Sequence, residues 1–153
     1  MIRVLLDTSF VLPSFGVDVG EEVSECLEMI GARKGEVKAY YSPFSLLEAA
    51  LVLLREVKRG SVKVEDAAEM VREGVASVIY GIEAAETSPE AFSLAIRLYE
   101  MGHRDIFDNL LYSTAIANGM LFLTLDRGLV EFVKERELPA AVVEPENLKP
   151  MLL

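Results

Sequence analysis

Short apolar runs alternate along this chain with longer stretches whose apolar residues recur at helical spacing. Residues 2–6 are a short apolar run with β-branched members, followed at once by Asp7-Thr8-Ser9. This predicts a buried first strand with Asp7 at its carboxyl end. Residues 21–33 carry Val23, Leu27 and Ile30 at helical spacing, with Glu21, Glu22, Glu25 and Glu28 on the other positions. They predict an amphipathic surface helix that closes near Gly35. Residues 37–41 read as a second strand. Ser42-Pro43 then supplies an N-cap with proline at the first helical position, opening a helix that runs to about Arg59, before Gly60, and places Glu48 in its second turn.

Residues 64–76 predict a further helix with Gly74 near its end, and residues 78–84 a short strand. Ser88-Pro89 repeats the cap signature for a helix ending at Gly102. Residues 105–118 form the next helix with its lead-in, 120–125 a strand, 127–136 a helix and 140–143 a last short strand. Strands and helices therefore alternate throughout. That pattern implies an α/β fold with a mainly parallel sheet and helices on both faces, in which ligands bind at the carboxyl ends of the strands. Asp7 and Asp126 both fall at that edge.

Composition narrows the reading. The 153 residues fit one domain spanning 1–153, and 52% hydrophobic with 26% charged residues excludes a disordered chain. The single cysteine, Cys26, sits among Val23, Leu27 and Ile30 and reads as a small buried hydrophobe, so no disulfide or zinc cluster is expected. The start of the sequence lacks the basic flank and cleavage site of a secretory signal, and a cytoplasmic location is expected. The long uncharged stretch 109–125 contains Asn109, Ser113, Thr114, Asn118, Gly119 and Thr124, and no membrane span is expected. A net charge of −10 argues against a broad basic face for nucleic acid, so any such contact must be local or metal-bridged. Glutamine is absent and asparagine occurs three times, a bias associated with hyperthermophile proteins.

Four acids carry the candidate chemistry. Asp7 and Asp126 each precede a helix and each would also serve as an ordinary N-cap. Glu48 is the one charged residue in positions 43–54. A capping box from Ser45 does not explain it, because Pro43 already sets the helix start, and a buried carboxylate without a partner is costly. Asp108 shares a helix face with Leu111, Tyr112 and Ala115, which turns it toward the sheet, while Asp105 three residues earlier competes for the same assignment. Four carboxylates converging on one edge repel one another unless a hard cation lies between them. All-oxygen ligation selects Mg²⁺ or Mn²⁺ over zinc, and phosphodiester hydrolysis follows from that choice. Arg104 and Arg127 lie nearest in sequence to these acids and are the candidates for phosphate contacts. Arg55, Lys58, Arg59 and Lys63 read as a solvated helix end suited to the helix dipole, and His103 as a loop residue rather than a base.

These residues resemble those of PIN-domain nucleases, small metal-dependent ribonucleases that include VapC-type toxins of toxin–antitoxin pairs. The resemblance covers nearly the whole chain. It rests on Leu5-Leu6-Asp7-Thr8-Ser9, on Ser42-Pro43-Phe44-Ser45-Leu46-Leu47-Glu48, on the helix that opens Asp108-Asn109-Leu110-Leu111 and on Leu123-Thr124-Leu125-Asp126. Asn109 and Tyr112 depart from the small or aliphatic residues more usual there. The resemblance implies a three-layer α/β/α sandwich and an endoribonuclease in which Asp7, Glu48, Asp108 and Asp126 hold Mg²⁺ or Mn²⁺. Asp7 and Asp108 would then be the principal ligands, and Thr8, Ser9 and Thr124 would orient water or phosphate. It also implies an antitoxin partner and, with the positive mean hydropathy of +0.31, a homodimer. The alternative within the same fold is a PIN-like module that binds protein or RNA without cutting it. Haloacid-dehalogenase phosphatases want a second acid two residues after the first, where this chain has Ser9. The acids and lysine of receiver domains are not clearly present, and no Gly-rich phosphate loop occurs.

Overall fold

Successive side chains of β1 (Ile2–Leu6) point to opposite faces of a sheet, and both faces of this strand are buried. Val4 and Leu6 enter one core, and Leu5 enters a second core on the other side. In this computed structural model, which describes residues 1–152, β1 is the central strand. It pairs in parallel with β2 (Val37–Tyr41) on one side and β4 (Leu121–Leu123) on the other, with Val4 opposite Ala39 and Leu121. β3 (Glu83–Ala84) extends the sheet beyond β2 and β5 (Val142–Val143) beyond β4, giving the order β3-β2-β1-β4-β5, parallel throughout. The chain thus leaves β1 toward one flank and later returns to its other flank. The crevice where the order reverses, beyond the carboxyl ends of β1 and β4, is where such sheets bind ligands.

Helices cover both faces, as the alternation predicts. The core containing Val4 and Leu6 is closed by α1 (Thr8–Val11), the 3₁₀ turn Leu12–Phe15, α2 (Glu21–Ala32), α3 (Pro43–Lys58), α4 (Val64–Gly81) and, in the order of the chain, lastly α8 (Pro145–Met151). The core containing Leu5 and Phe122 is closed by α5 (Pro89–Met101), α6 (Ile106–Asn118) and α7 (Arg127–Glu135). The result is a three-layer α/β/α arrangement. Ser42 and Ser88 cap α3 and α5 through their hydroxyls, each ahead of a proline in the first turn. Gly102 and Gly119 close α5 and α6 in the left-handed region, at φ +119° and +63°. At the end of α6 the Asn118 side-chain amide donates to the Glu86 and Thr114 carbonyls, both at 2.8 Å, and Arg3 Nη2 donates to the Asn118 carbonyl at 2.8 Å.

Several elements differ from the sequence expectation. α4 does not stop at residue 76 but continues to Gly81, and only Glu83–Ala84 of residues 78–84 becomes a strand. The physical reason is Phe15, whose buried ring lies directly over position 74. A Cβ there would come within 2.6 and 2.7 Å of the ring carbons Cδ1 and Cδ2, so the glycine marks a close approach inside the helix rather than its end. β4 is shorter than residues 120–125, because Thr124 and Leu125 turn away into the approach to α7. The short α1, the 3₁₀ turn after it and α8 were not signalled by periodicity, since none is long enough to show one. Among the described residues no helix is long and apolar enough to cross a membrane.

Gly74→Ala raises intrinsic helix propensity by about 1 kcal/mol but forces a methyl group into the Phe15 ring. A net loss of about 1–3 kcal/mol is expected, read from urea unfolding. A neutral or stabilised variant would contradict the close approach.

Candidate metal centre

Asp7 and Asp126 act as N-caps, each through one carboxylate oxygen. Asp7 Oδ1 accepts from the Thr8 N–H at 2.6 Å at the start of α1, and Asp126 Oδ1 accepts from the Leu129 N–H at 3.1 Å at the start of α7. Capping and site chemistry therefore coexist in one side chain, one oxygen for each. The fully buried Thr124 hydroxyl links the two. It donates to Asp7 Oδ2 at 2.9 Å and accepts from the Asp126 N–H at 3.0 Å, fixing the end of β1 against the turn that follows β4.

Glu48 and Asp108 approach from α3 and α6. With Asp7, Asp105 and Asp126 they line a cavity of about 460 Å³ that also contains Thr8, Ser9 and Arg55. Asp105 caps α6, its Oδ1 accepting from the Asp108 N–H at 3.1 Å. The Asp108 side chain is only 7% exposed and, among the described residues, accepts no hydrogen bond from a protein donor. The Thr8 hydroxyl is likewise buried without a partner of good geometry, and it faces the Glu48 carboxyl. A larger cleft of about 620 Å³ lies between α2, β2 and the end of α4, but its charged lining is limited to Lys34, Lys38 and Glu83.

Burial and crowding set the electrostatics. Asp108 is pushed up to about 9, first by burial and then by the neighbouring carboxylate of Asp7, with Asp126 and Asp105 adding to it. Asp7 is pushed up to about 6, again first by burial; the hydrogen bonds from Thr124 and Thr8 oppose the rise, and Glu48 and Asp105 add to it. Burial also raises Glu48, while Thr8 and Arg55 hold it back. The protein alone disfavours keeping all of these acids ionised. A divalent cation fits this donor set: it offsets the repulsion and accepts carboxylate oxygens readily, those of the buried Asp108 among them.

Two residues in the site have a position that the sequence reading did not assign. Arg55 lines the cavity instead of projecting from a solvated helix end; Glu48, Val52 and Arg55 fall on one face of α3, a spacing that could have revealed it. His103 does lie in the loop before α6, but its ring turns into the acids. One donor atom each from His103, Asp108 and Asp126 lie within 4.8 Å of one another. Of the other candidates, Ser9 lines the cavity. Arg104 lies 5.7 Å from the Tyr99 ring centre, and the mostly exposed Arg127 approaches Glu144 at 3.5 Å; neither lines the cavity.

No protein-family model matches the sequence, and no curated protein matches it. Solved structures do resemble the fold. PAE2754 from Pyrobaculum aerophilum is 18% identical, with 99% of this chain and 89% of that one covered and a TM-score of 0.63. VapBC2 from Rickettsia felis, determined bound to a DNA fragment from their promoter, is 16% identical with 94% and 98% covered and a TM-score of 0.61. FitAcB from Neisseria gonorrhoeae is 18% identical with 94% and 98% covered and a TM-score of 0.62. At these identities the likeness concerns architecture, and it is that of the PIN-like α/β fold.

The crowded acids give a testable sign to the pH dependence of stability. Asp7 and Asp108 hold protons in the folded state above their unfolded value of 3.8, so their contribution is full below 3.8 and is lost as pH rises through about 6 and about 9 respectively. In EDTA the melting temperature should fall as pH rises across that window. Asp108→Asn should flatten the part above pH 6, and saturating Mn²⁺ should reduce the slope in the wild type. An identical profile in wild type and variant would contradict the crowding.

Proposed function

We propose that this protein is a Mg²⁺- or Mn²⁺-dependent ribonuclease of the VapC type, hydrolysing RNA phosphodiester bonds. The observation that carries this reading is the convergence of Asp7, Glu48, Asp108 and Asp126 on one cavity at the sheet's switch point, two of them pushed well above the usual carboxylate range. Asp7 and Asp108 serve as principal ligands, and Glu48 and Asp126 ligate directly or through water. When bound, the metal supplies activation of a water nucleophile and offsets negative charge on the scissile phosphate.

The chain's own residues supply position and charge. Thr124 holds Asp7 Oδ2 in place and favours its ionised form. The Thr8 hydroxyl, which faces Glu48, and Ser9 orient water or a phosphate oxygen at the cavity wall. Arg55 is the cation inside the cavity and contacts the scissile phosphate, while Arg104 and Arg127, outside it, serve flanking phosphates. With a net charge of −10, substrate affinity depends on these local contacts and the metal rather than on a basic face.

The partners follow from the same reading. The likeness to VapBC2 and FitAcB supports an antitoxin partner for this chain. A homodimer accounts for exposed apolar side chains along α3, at Leu47, Leu51 and Leu54, and along α5, at Phe92, Ile96 and Tyr99. Phe44 packs edge-on against Phe92 at 5.5 Å and joins the two rows.

Asp7→Asn should retain its fold by circular dichroism and lose Mn²⁺-dependent cleavage of total RNA by about 100-fold or more, given the several kcal/mol that a catalytic metal contributes. Full activity in that variant would remove Asp7 from the mechanism; cleavage of single-stranded DNA in preference to RNA would redirect the substrate assignment. Ile96→Glu should convert the dimer to a monomer in sedimentation equilibrium. A wild type that is already monomeric at micromolar concentration would remove the dimer.

A further inference from the structure

We propose that His103 is a nitrogen ligand of the metal centre, so that the site takes first-row transition ions in preference to Mg²⁺. The inference rests on the carboxylate centre described above and assigns it a donor outside the four acids. Hydrogen bonding around Asn109 fixes which imidazole nitrogen is available. The fully buried Asn109 side chain donates through Nδ2 to the backbone carbonyls of His103, at 2.6 Å, and Ala95, at 3.4 Å. Carbonyls only accept, so the amide orientation is determined and Oδ1 must face His103 Nδ1, 2.7 Å away. Oδ1 also only accepts. Nδ1 therefore carries the hydrogen, and in the neutral ring Nε2 presents a lone pair.

Nε2 lies beside the acids. Nε2 lies 3.9 Å from Asp126 Oδ2, too far for a hydrogen bond and close enough for one ion to touch both. The third member of the group is Asp108, whose buried carboxyl accepts no hydrogen bond among the described residues. The Phe132 ring, 5.4 Å from the imidazole centre, bounds the ring on one side. A metal-ligating histidine whose other nitrogen donates to an oxygen acceptor is the usual arrangement at protein metal sites, because that bond sets ring orientation and raises ligand basicity. Mg²⁺ demands oxygen donors and retains its waters, whereas imidazole nitrogen strengthens binding along the transition series.

The chain has one histidine, so a tag-free sample has one imidazole to report on. Pulsed electron paramagnetic resonance of the Mn²⁺-loaded protein should show an imidazole ¹⁴N coupling that vanishes in His103→Leu. By calorimetry that variant should lose about 10- to 100-fold in Co²⁺ affinity and leave Mg²⁺ affinity essentially unchanged, since Mg²⁺ takes oxygen donors. Mn²⁺ bound to the wild type without ¹⁴N coupling overturns the histidine ligand, in favour of an imidazolium paired with Asp126, and leaves the carboxylate centre standing. Failure of the wild type to bind Mn²⁺ at all overturns both. The wild-type spectrum decides the question even if the variant does not fold.

Discussion

Mutual repulsion among buried carboxylates is the constraint around which this molecule is arranged. Asp7 and Asp108 are mostly buried, where screening by water is weak, and the Asp7 carboxylate raises the cost of ionising Asp108. Such crowding persists only where the surrounding backbone cannot yield. Here the backbone is held by parallel pairing of β1 with both β2 and β4, by cores on each face of β1, and by the Thr124 hydroxyl that links the end of β1 to the turn after β4. A softer frame would let the acids separate. The rigidity of the sheet edge thus preorganises the acids for a cation before one arrives.

The same side chains serve structure and chemistry because a carboxylate has two oxygens. In Asp7 and Asp126 one oxygen satisfies a helix N-terminus, which the macrodipole favours, while the second oxygen of Asp7 accepts from Thr124 and both residues still line the cavity. Asp105 and Asp108 separate the tasks: the first caps α6, and the second enters the buried cluster from the first turn. At these positions a cap is not a competing explanation for a site residue. It is the means by which the residue is held still.

Much of the frame is legible in the sequence because its signals are local. Ser42-Pro43 and Ser88-Pro89 mark helix starts, Gly102 and Asn118-Gly119 mark ends, and the apolar runs at 2–6 and 37–41 mark the inner strands. What is not legible depends on groups distant in sequence. Gly74 reads as a weak point near the end of a helix until Phe15, 59 positions earlier, is seen lying across it. His103 reads as an ordinary loop residue because its ring direction is decided by an amide six positions ahead, whose own orientation is set by two carbonyls. Arg55 was within reach, since helical spacing from Glu48 places both on one face, but its suitability for a helix end was an equally good local account. The gathering of Glu48 with the aspartates follows from the order of strands in the sheet, which pattern alone implies but does not fix.

The closure of α6 bears on how the molecule ages. An Asn-Gly pair is the dipeptide most prone to deamidation, in which the glycine nitrogen attacks the asparagine side-chain carbonyl to form a succinimide. Asn118-Gly119 occupies a helix end where that attack is hindered. The Asn118 amide is tied to the Glu86 and Thr114 carbonyls, the Gly119 N–H donates to the Ile116 carbonyl, and Arg3 holds the carbonyl between them. For a chain without glutamine and with three asparagines, this places its most vulnerable amide under the protection of the fold. Chemical lifetime at high temperature then becomes a property of how long this helix end stays closed.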